Sequence, residues 1–310
     1  MTTALFTHPA CLAHDMGRHH PESPARLAAV LAALEAPAFA ALDWREAPAA
    51  TIDQISRVHP VEFVEQLLAA VPASGIHQVD ADTSLCPASG EAALRAAGAL
   101  CAAVDAVMTG EAANAFCAVR PPGHHAEPAQ AMGFCLFNNV AIGALHARAV
   151  HGIHRVAVID FDVHHGNGTQ ASFWDDPGLF FGSTHQSPLY PGTGAASERG
   201  LGNIVNAPLS PGADGVAFRH AMERVVLPAL DDFAPELLMV SAGFDAHRDD
   251  PLANLGLVED DYAWITERLA EVAARHCAGR IVATLEGGYD LRALAASAAA
   301  HVAELMRAGT

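Results

Sequence analysis

The chain reads as an α/β protein in which a parallel sheet is covered by helices, and three observations predict it. Short apolar runs recur along the sequence, long alanine-rich segments of helical character separate them, and site-like polar residues follow the later runs. In order, the segments are strand 4–7, helices 26–34 and 91–108, strand 115–119, helix 138–150, and strands 156–159 and 179–182. Helix 215–230, strand 237–240, helix 260–276, strand 281–285 and helix 291–306 complete the series. Runs that are apolar on both faces and alternate with helices belong to a sheet buried on both sides. In open sheets of this kind a ligand sits outside the carboxyl ends of the strands.

At 310 residues with 51% apolar content, the chain can bury a large core. No linker, low-complexity run or solenoid repeat divides it, so a single domain is expected. A net charge of -18 argues against a nucleic-acid partner, which needs a basic face, and is compatible with lysine-rich or amine partners. The six cysteines show no Cys-x-x-Cys spacing and read as core thiols in a reducing compartment. The N-terminus lacks a basic segment followed by a long apolar one, and no apolar run is long enough to span a bilayer. A cytoplasmic protein with no membrane partner is therefore expected.

The segment Asp160-Phe161-Asp162-Val163-His164-His165-Gly166-Asn167 follows directly on the apolar run 156–159. Alternation along an extended chain sends Asp160, Asp162 and His164 to one side and Phe161 and Val163 to the other. Asp162 and His164 could hold one metal ion together, although a buried Asp–His hydrogen bond explains an isolated pair equally well. Other exits supply what a lone pair cannot. Strand 115–119 leads to Arg120-Pro121-Pro122-Gly123-His124-His125, strand 237–240 to Ser241-Ala242-Gly243-Phe244-Asp245-Ala246-His247, and strand 281–285 to Glu286-Gly287-Gly288-Tyr289-Asp290. Acids, imidazoles and a phenol from separate strands are thus aimed at one edge.

These motifs, with Gly133-Phe134-Cys135-Leu136-Phe137-Asn138-Asn139 between them, resemble in order the histone deacetylase and acetylpolyamine amidohydrolase superfamily, from about His14 onward. The early block His20-Pro21-Glu22-Ser23-Pro24-Ala25-Arg26-Leu27 and Asn167, where class I members carry Asp, resemble bacterial class II histone deacetylase-like amidohydrolases. The resemblance implies the arginase-like fold, with a mostly parallel sheet of about eight strands between helices, and a tunnel leading to one catalytic zinc. It implies Asp162, His164 and Asp245 as metal ligands, a set that leaves coordination open for water and substrate. It assigns His125 as general base and then acid, His124 as an electrostatic partner, Asp160 and Asn167 as their orienting groups, and Tyr289 as the donor that stabilises the oxyanion. A carboxylate behind His124 is expected to keep it protonated, and the neutral Asn167 to leave His125 near its ordinary pKa. Gly287 and Gly288 suggest a shaped loop able to swing.

The reaction implied is hydrolysis of an N-acyl amine: zinc polarises the acyl oxygen, and His125 takes a proton from the attacking water and returns it to the departing amine. Iron(II) is the alternative ion. Potassium is implied as a structural ion beside Asp160, Asp162, His164, Ser183 and Thr184. Gly133, Phe134 and Tyr190 match the tunnel wall, with a core position the alternative for the aromatics. Leu252 stands where polyamine-selective relatives carry an acid, which tilts the substrate toward acyl-lysine in peptides, proteins or small molecules. Asp249, Asp250 and Glu22 remain available to a cationic substrate. Asp82 is a rim candidate, with a turn or capping role as its alternative. The competing readings are an acetylpolyamine deacetylase, a non-catalytic binder of acyl-lysine or amines, and a two-metal ureohydrolase, which would need acids where this chain has Gly166 and His247.

Overall fold

Ten strands and eleven α-helices order residues 2–309, the residues described by this computed structural model. The strands are β1 Thr3–Thr7, β2 Asp43–Glu46, β3 His77–Gln78, β4 Ser84–Leu85, β5 Asn114–Cys117, β6 Val156–Asp160, β7 Leu179–Gln186, β8 Ile204–Leu209, β9 Leu237–Ala242 and β10 Ile281–Leu285. The helices are α1 Pro9–Ala13, α2 Pro24–Leu34, α3 Ile52–Ile55, α4 Val61–Ala69, α5 Ser89–Met108 and α6 Asn139–His151. They continue as α7 Asn167–Phe173, α8 Gly215–Ala221, α9 Leu227–Phe233, α10 Glu259–His276 and α11 Leu291–Ala308. Eight of the strands form one parallel sheet in the order β2-β1-β5-β10-β9-β6-β7-β8, and β3 with β4 makes a separate antiparallel ribbon.

Every residue of β5, β6, β9 and β10 is buried, as their unbroken apolar runs predict. Helices cover both faces: Met239 meets Gly143 of α6 on one side, and Phe116 packs against His301 of α11 on the other. The expected single α/β domain with its eight-stranded sheet is what the chain forms. Four strands were not foreseen: the ribbon strands β3 and β4, and β2 and β8, which are the two edges of the large sheet. In β2 half-buried and exposed residues alternate, and β8 carries Pro208, which an edge tolerates because its missing N–H can face solvent.

The helical segment expected at 215–230 is continuous but not uniform. A π-helical turn, Met222–Val226, separates α8 from α9 immediately before Pro228. Proline has no N–H for the carbonyl four residues back and its ring crowds it, so a wider turn relieves the clash. Among the described residues, no helix is long and apolar enough to cross a membrane, and all six cysteines are buried and unbridged.

The register fixes where chemistry can be placed. Cys117, Thr284, Ser241 and Asp160 form one row across β5, β10, β9 and β6. Each of the four loops with acids, imidazoles or the phenol leaves its strand at or just beyond that row.

Candidate active site

The loop after β5 is anchored before its histidines are reached. Glu286 Oε2, from the exit of β10, accepts the N–H groups of Gly123 and His124 at 2.7 and 3.2 Å, and its other oxygen contacts Ser241 Oγ at 3.3 Å. The two imidazoles then lie with ring centres 3.9 Å apart. His124 Nδ1 pairs with Asp160 Oδ2 at 2.9 Å, and His125 Nδ1 with Asn167 Oδ1 at 2.8 Å. Asn167 Nδ2 donates to Glu127 Oε1 at 2.8 Å, so its oxygen must face His125. His125 therefore donates through Nδ1 and keeps Nε2 as the atom that can take a proton.

Asp162, His164 and Asp245 come together as expected, with one donor atom from each lying within 4.8 Å of the others. His164 Nδ1 is 3.1 Å from both Asp162 Oδ1 and Asp245 Oδ2. The opposite carboxylate oxygens are held by backbone: Gly287 N–H donates to Asp162 Oδ2 and Val163 N–H to Asp245 Oδ1, each at 2.8 Å. One imidazole and two carboxylates, buried and pinned from behind, are a donor set suited to a single divalent ion. Strand β6 ends at Asp160, yet the alternation continues past it: Asp160 turns to His124, whereas Phe161 packs away from the site against Phe244 and Tyr262.

Gly243 and Gly287 make this packing possible. A Cβ on Gly243 would stand 2.0 Å from Asp162 Oδ2, and one on Gly287 would stand 2.0 Å from Asp245 Oδ2. Of the two glycines before Tyr289, Gly287 thus has a packing reason, close approach to the carboxylates, and Gly288 a conformational one, φ 126°.

Burial opposes charge on His124, but Asp160 and Asp162 outweigh it and raise its pKa to about 10. His164 also rises to about 10, burial being overcome by its hydrogen bonds to Asp162 and Asp245. That strong hold on a proton reports how far two buried carboxylates favour a cation at this point. His125 departs from expectation. Burial, and then the positive charges of His124 and His164, drive it well below the ordinary histidine value rather than leaving it near neutrality. Burial keeps the Tyr289 phenol far above its usual pKa, so it remains a proton donor.

A cleft of about 240 Å³ opens over these groups, lined by Asp82, His125, Gly133, Phe134, His164, Leu189, Tyr190, Leu252 and Tyr289. All five residues expected at the tunnel or rim are there. Tyr190 is 37% exposed and so is no core residue, and its ring meets that of His125 edge-on at 5.1 Å. Phe134 adopts φ 68°, a left-handed conformation costly for a bulky residue. Asp82 Oδ1 accepts Gly133 N–H at 3.1 Å and Thr83 Oγ1–H at 2.8 Å, while Phe134 N–H donates to Thr83 Oγ1 at 3.0 Å. Asp82 is therefore both a lining residue and the cap that fixes the strained wall.

Two acids suggested for a cationic substrate are already engaged. Glu22 is wholly buried and binds Arg120 and Arg26, whose charges outweigh its burial and hold its pKa at about 2. Asp250 accepts the N–H groups of Leu252 and Tyr289 at 2.9 and 2.7 Å. Ser183 sits opposite Asp160 in the ladder, with its hydroxyl 2.9 Å from His185 Nδ1, and Thr184 follows it with a buried hydroxyl. Gly166 packs against Asp160 and His124, and His247 Nδ1 accepts Asp249 N–H, so neither brings a carboxylate of its own. Glu286, Glu127, Thr83 and Leu189 were not singled out by sequence. Glu286 stood inside a quoted motif, but its backbone partners lie more than 160 residues away.

Comparison with known proteins gives a consistent picture. The model of the histone deacetylase domain matches residues 20–305. A histone deacetylase-like amidohydrolase of Pseudomonas aeruginosa is 40% identical, over 93% of this chain and 82% of its own. A probable deacetylase of Archaeoglobus fulgidus is 38% identical, over 94% and 82%. Histone deacetylase 14, chloroplastic, of Arabidopsis thaliana is 39% identical, over 95% and 74%. The crystal structure of the HDA15 HD domain superimposes with a TM-score of 0.92 at 36% identity, over 98% of this chain and 88% of that one.

Proposed function

The chain belongs to the histone deacetylase family, and on that premise we propose a zinc-dependent amidohydrolase that removes acetyl or another acyl group from acyl-lysine, in proteins or small molecules. Residues 1–310 would serve as one catalytic domain. The observation that carries this reading is the convergence of Asp162, His164 and Asp245 beside the His124–His125 pair under a cleft of about 240 Å³. A bound ion, zinc or in the cell iron(II), supplies an electrophile for the acyl oxygen and for water. The remaining work falls to the chain. His125 Nε2 takes the proton of the attacking water and returns it to the leaving amine nitrogen, releasing a carboxylate and a free amine. His124, held charged by Asp160, contributes a fixed positive field. The Tyr289 hydroxyl donates to the oxygen that becomes an oxyanion. Phe134 and Tyr190 line the passage for the aliphatic stem, and Asp82 stands at the rim.

Potassium is assigned beside Asp160, Asp162, His164, Ser183 and Thr184 as a structural ion. The setting proposed is cytoplasmic, without nucleic-acid or membrane partners. Leu252 supports acyl-lysine over acetylpolyamine, because an apolar side chain offers no partner to a second ammonium. The zinc-loaded protein is expected to hydrolyse acetyl-lysine peptides faster than acetylated putrescine or spermidine. The reverse order would assign it to polyamines, and binding without hydrolysis of any acylated amine would overturn the enzymatic reading.

Two substitutions test the parts. Gly287→Ala places a methyl group against Asp245 and displaces a backbone donor to Asp162, so divalent-ion affinity should fall about 10- to 100-fold, read by elemental analysis with circular dichroism as the folding control. Asn167→Asp sets a carboxylate behind His125 and should raise its pKa by about one unit or more. Because the working form of His125 is the unprotonated one, the acid limb of kcat/KM should lie below the ordinary histidine range in the native protein and shift to higher pH in the variant. An unmoved limb would remove His125 as the base.

A further inference from the structure

Away from the cleft, α5 and α6 bring together a second set of metal-type donors. His146 Nε2 lies 2.8 Å and His151 Nε2 2.7 Å from the same atom, Asp105 Oδ1, and the three donor atoms fall within 4.8 Å of one another. Among the described residues this trio and the Asp162 cluster are the two groups able to hold an ion. We propose that Asp105, His146 and His151 form a separate site for a first-row transition ion such as Zn²⁺ or Ni²⁺.

The chemistry of the donors fits. Two neutral imidazoles and one carboxylate suit zinc or nickel and disfavour calcium or magnesium, which seek oxygen. The imidazoles are largely enclosed, His146 with 4% and His151 with 16% of the side chain exposed, while Asp105 is 46% exposed. The protein side is therefore firm and the solvent side open for water as the remaining ligand. Bonds of about 2.0–2.1 Å place tetrahedral donors about 3.3 Å apart, so the contacts must open by about half an ångström. A small swing of the half-exposed Asp105 supplies that.

Arg57 is the competing group. Its guanidinium donates to His146 Nδ1 at 2.8 Å, which keeps the proton of that ring on Nε2, where the ion must bind. Occupancy requires the proton to move to Nδ1 and Arg57 to turn aside. Arg57 lines an open groove with Leu145, Arg148 and Gly152, and has the room to do so. The site is distant from catalysis. Helix α6 starts beside the catalytic loop, where Asn139 Nδ2 donates to Pro121 O, and His151 is its last residue, about 20 Å farther along.

The full-length protein, stripped of metal and titrated with Ni²⁺ or Zn²⁺ alone in equilibrium dialysis, reads the proposal by stoichiometry. The native chain should bind two equivalents. His151→Ala and Asp105→Asn should each bind one and keep their folded circular dichroism. Asp162→Asn should retain the equivalent that His151→Ala loses. Arg57→Gln should bind that equivalent several-fold more tightly. A single equivalent in the native chain that Asp162→Asn loses, two in His151→Ala, or weaker uptake in Arg57→Gln would each overturn the assignment.

Discussion

His164→Ala is expected to abolish measurable deacylation by losing the divalent ion itself. The side chain is one of only three donors in its cluster, and its Nδ1 stands 3.1 Å from a carboxylate oxygen on either side. Removing it leaves Asp162 and Asp245, both buried, facing each other without an intervening cation. Loss of a direct ligand should exceed the roughly 100-fold loss of affinity seen when a supporting group is removed. Elemental analysis with activity on acetyl-lysine peptide reads both consequences. Full zinc occupancy in His164→Ala would show that the ligand set is wrong.

Tyr289→Phe should behave in the opposite way, keeping the ion and losing turnover. Only a hydroxyl is removed; the ring keeps its edge-on neighbour Phe134, with centres 6.0 Å apart, and the Arg26 guanidinium 4.8 Å above it. Loss of one preorganised oxyanion donor costs about 10²–10³ in kcat, or about 3–4 kcal/mol. KM should change little because the cleft wall is intact. Near-native kcat would take Tyr289 out of the mechanism, and a fall in zinc content would recast it as a structural residue.

The inner sheet was readable because strands buried on both faces must be apolar throughout, and the site was readable because chemistry-bearing residues follow them directly. The edges hid for the converse reason: β2, with residues Asp43, Trp44, Arg45 and Glu46, is only half-buried at every second position, and β8 accommodates Pro208. Site geometry was legible for side chains that meet at the strand exits and opaque for those that act on distant backbone. Glu286 was passed over because an acid after a strand does not reveal that it will accept Gly123 and His124 N–H groups. Glu22 was left available to a cationic substrate, since nothing local shows Arg120 closing over it. His125 was expected near neutrality from its one neutral partner. Its value is set by burial and by two cationic rings that only folding brings near.

Strand β10, near the end of the chain, lies between β5 and β9. During synthesis on the ribosome, a nascent polypeptide that has emerged only through β9 can pair β5 with β1 but not with its other neighbour, β10. It also lacks Glu286, Gly287 and Tyr289. The finished site therefore requires β10, and a product ending before residue 281 is expected to lack both stable structure and chemistry.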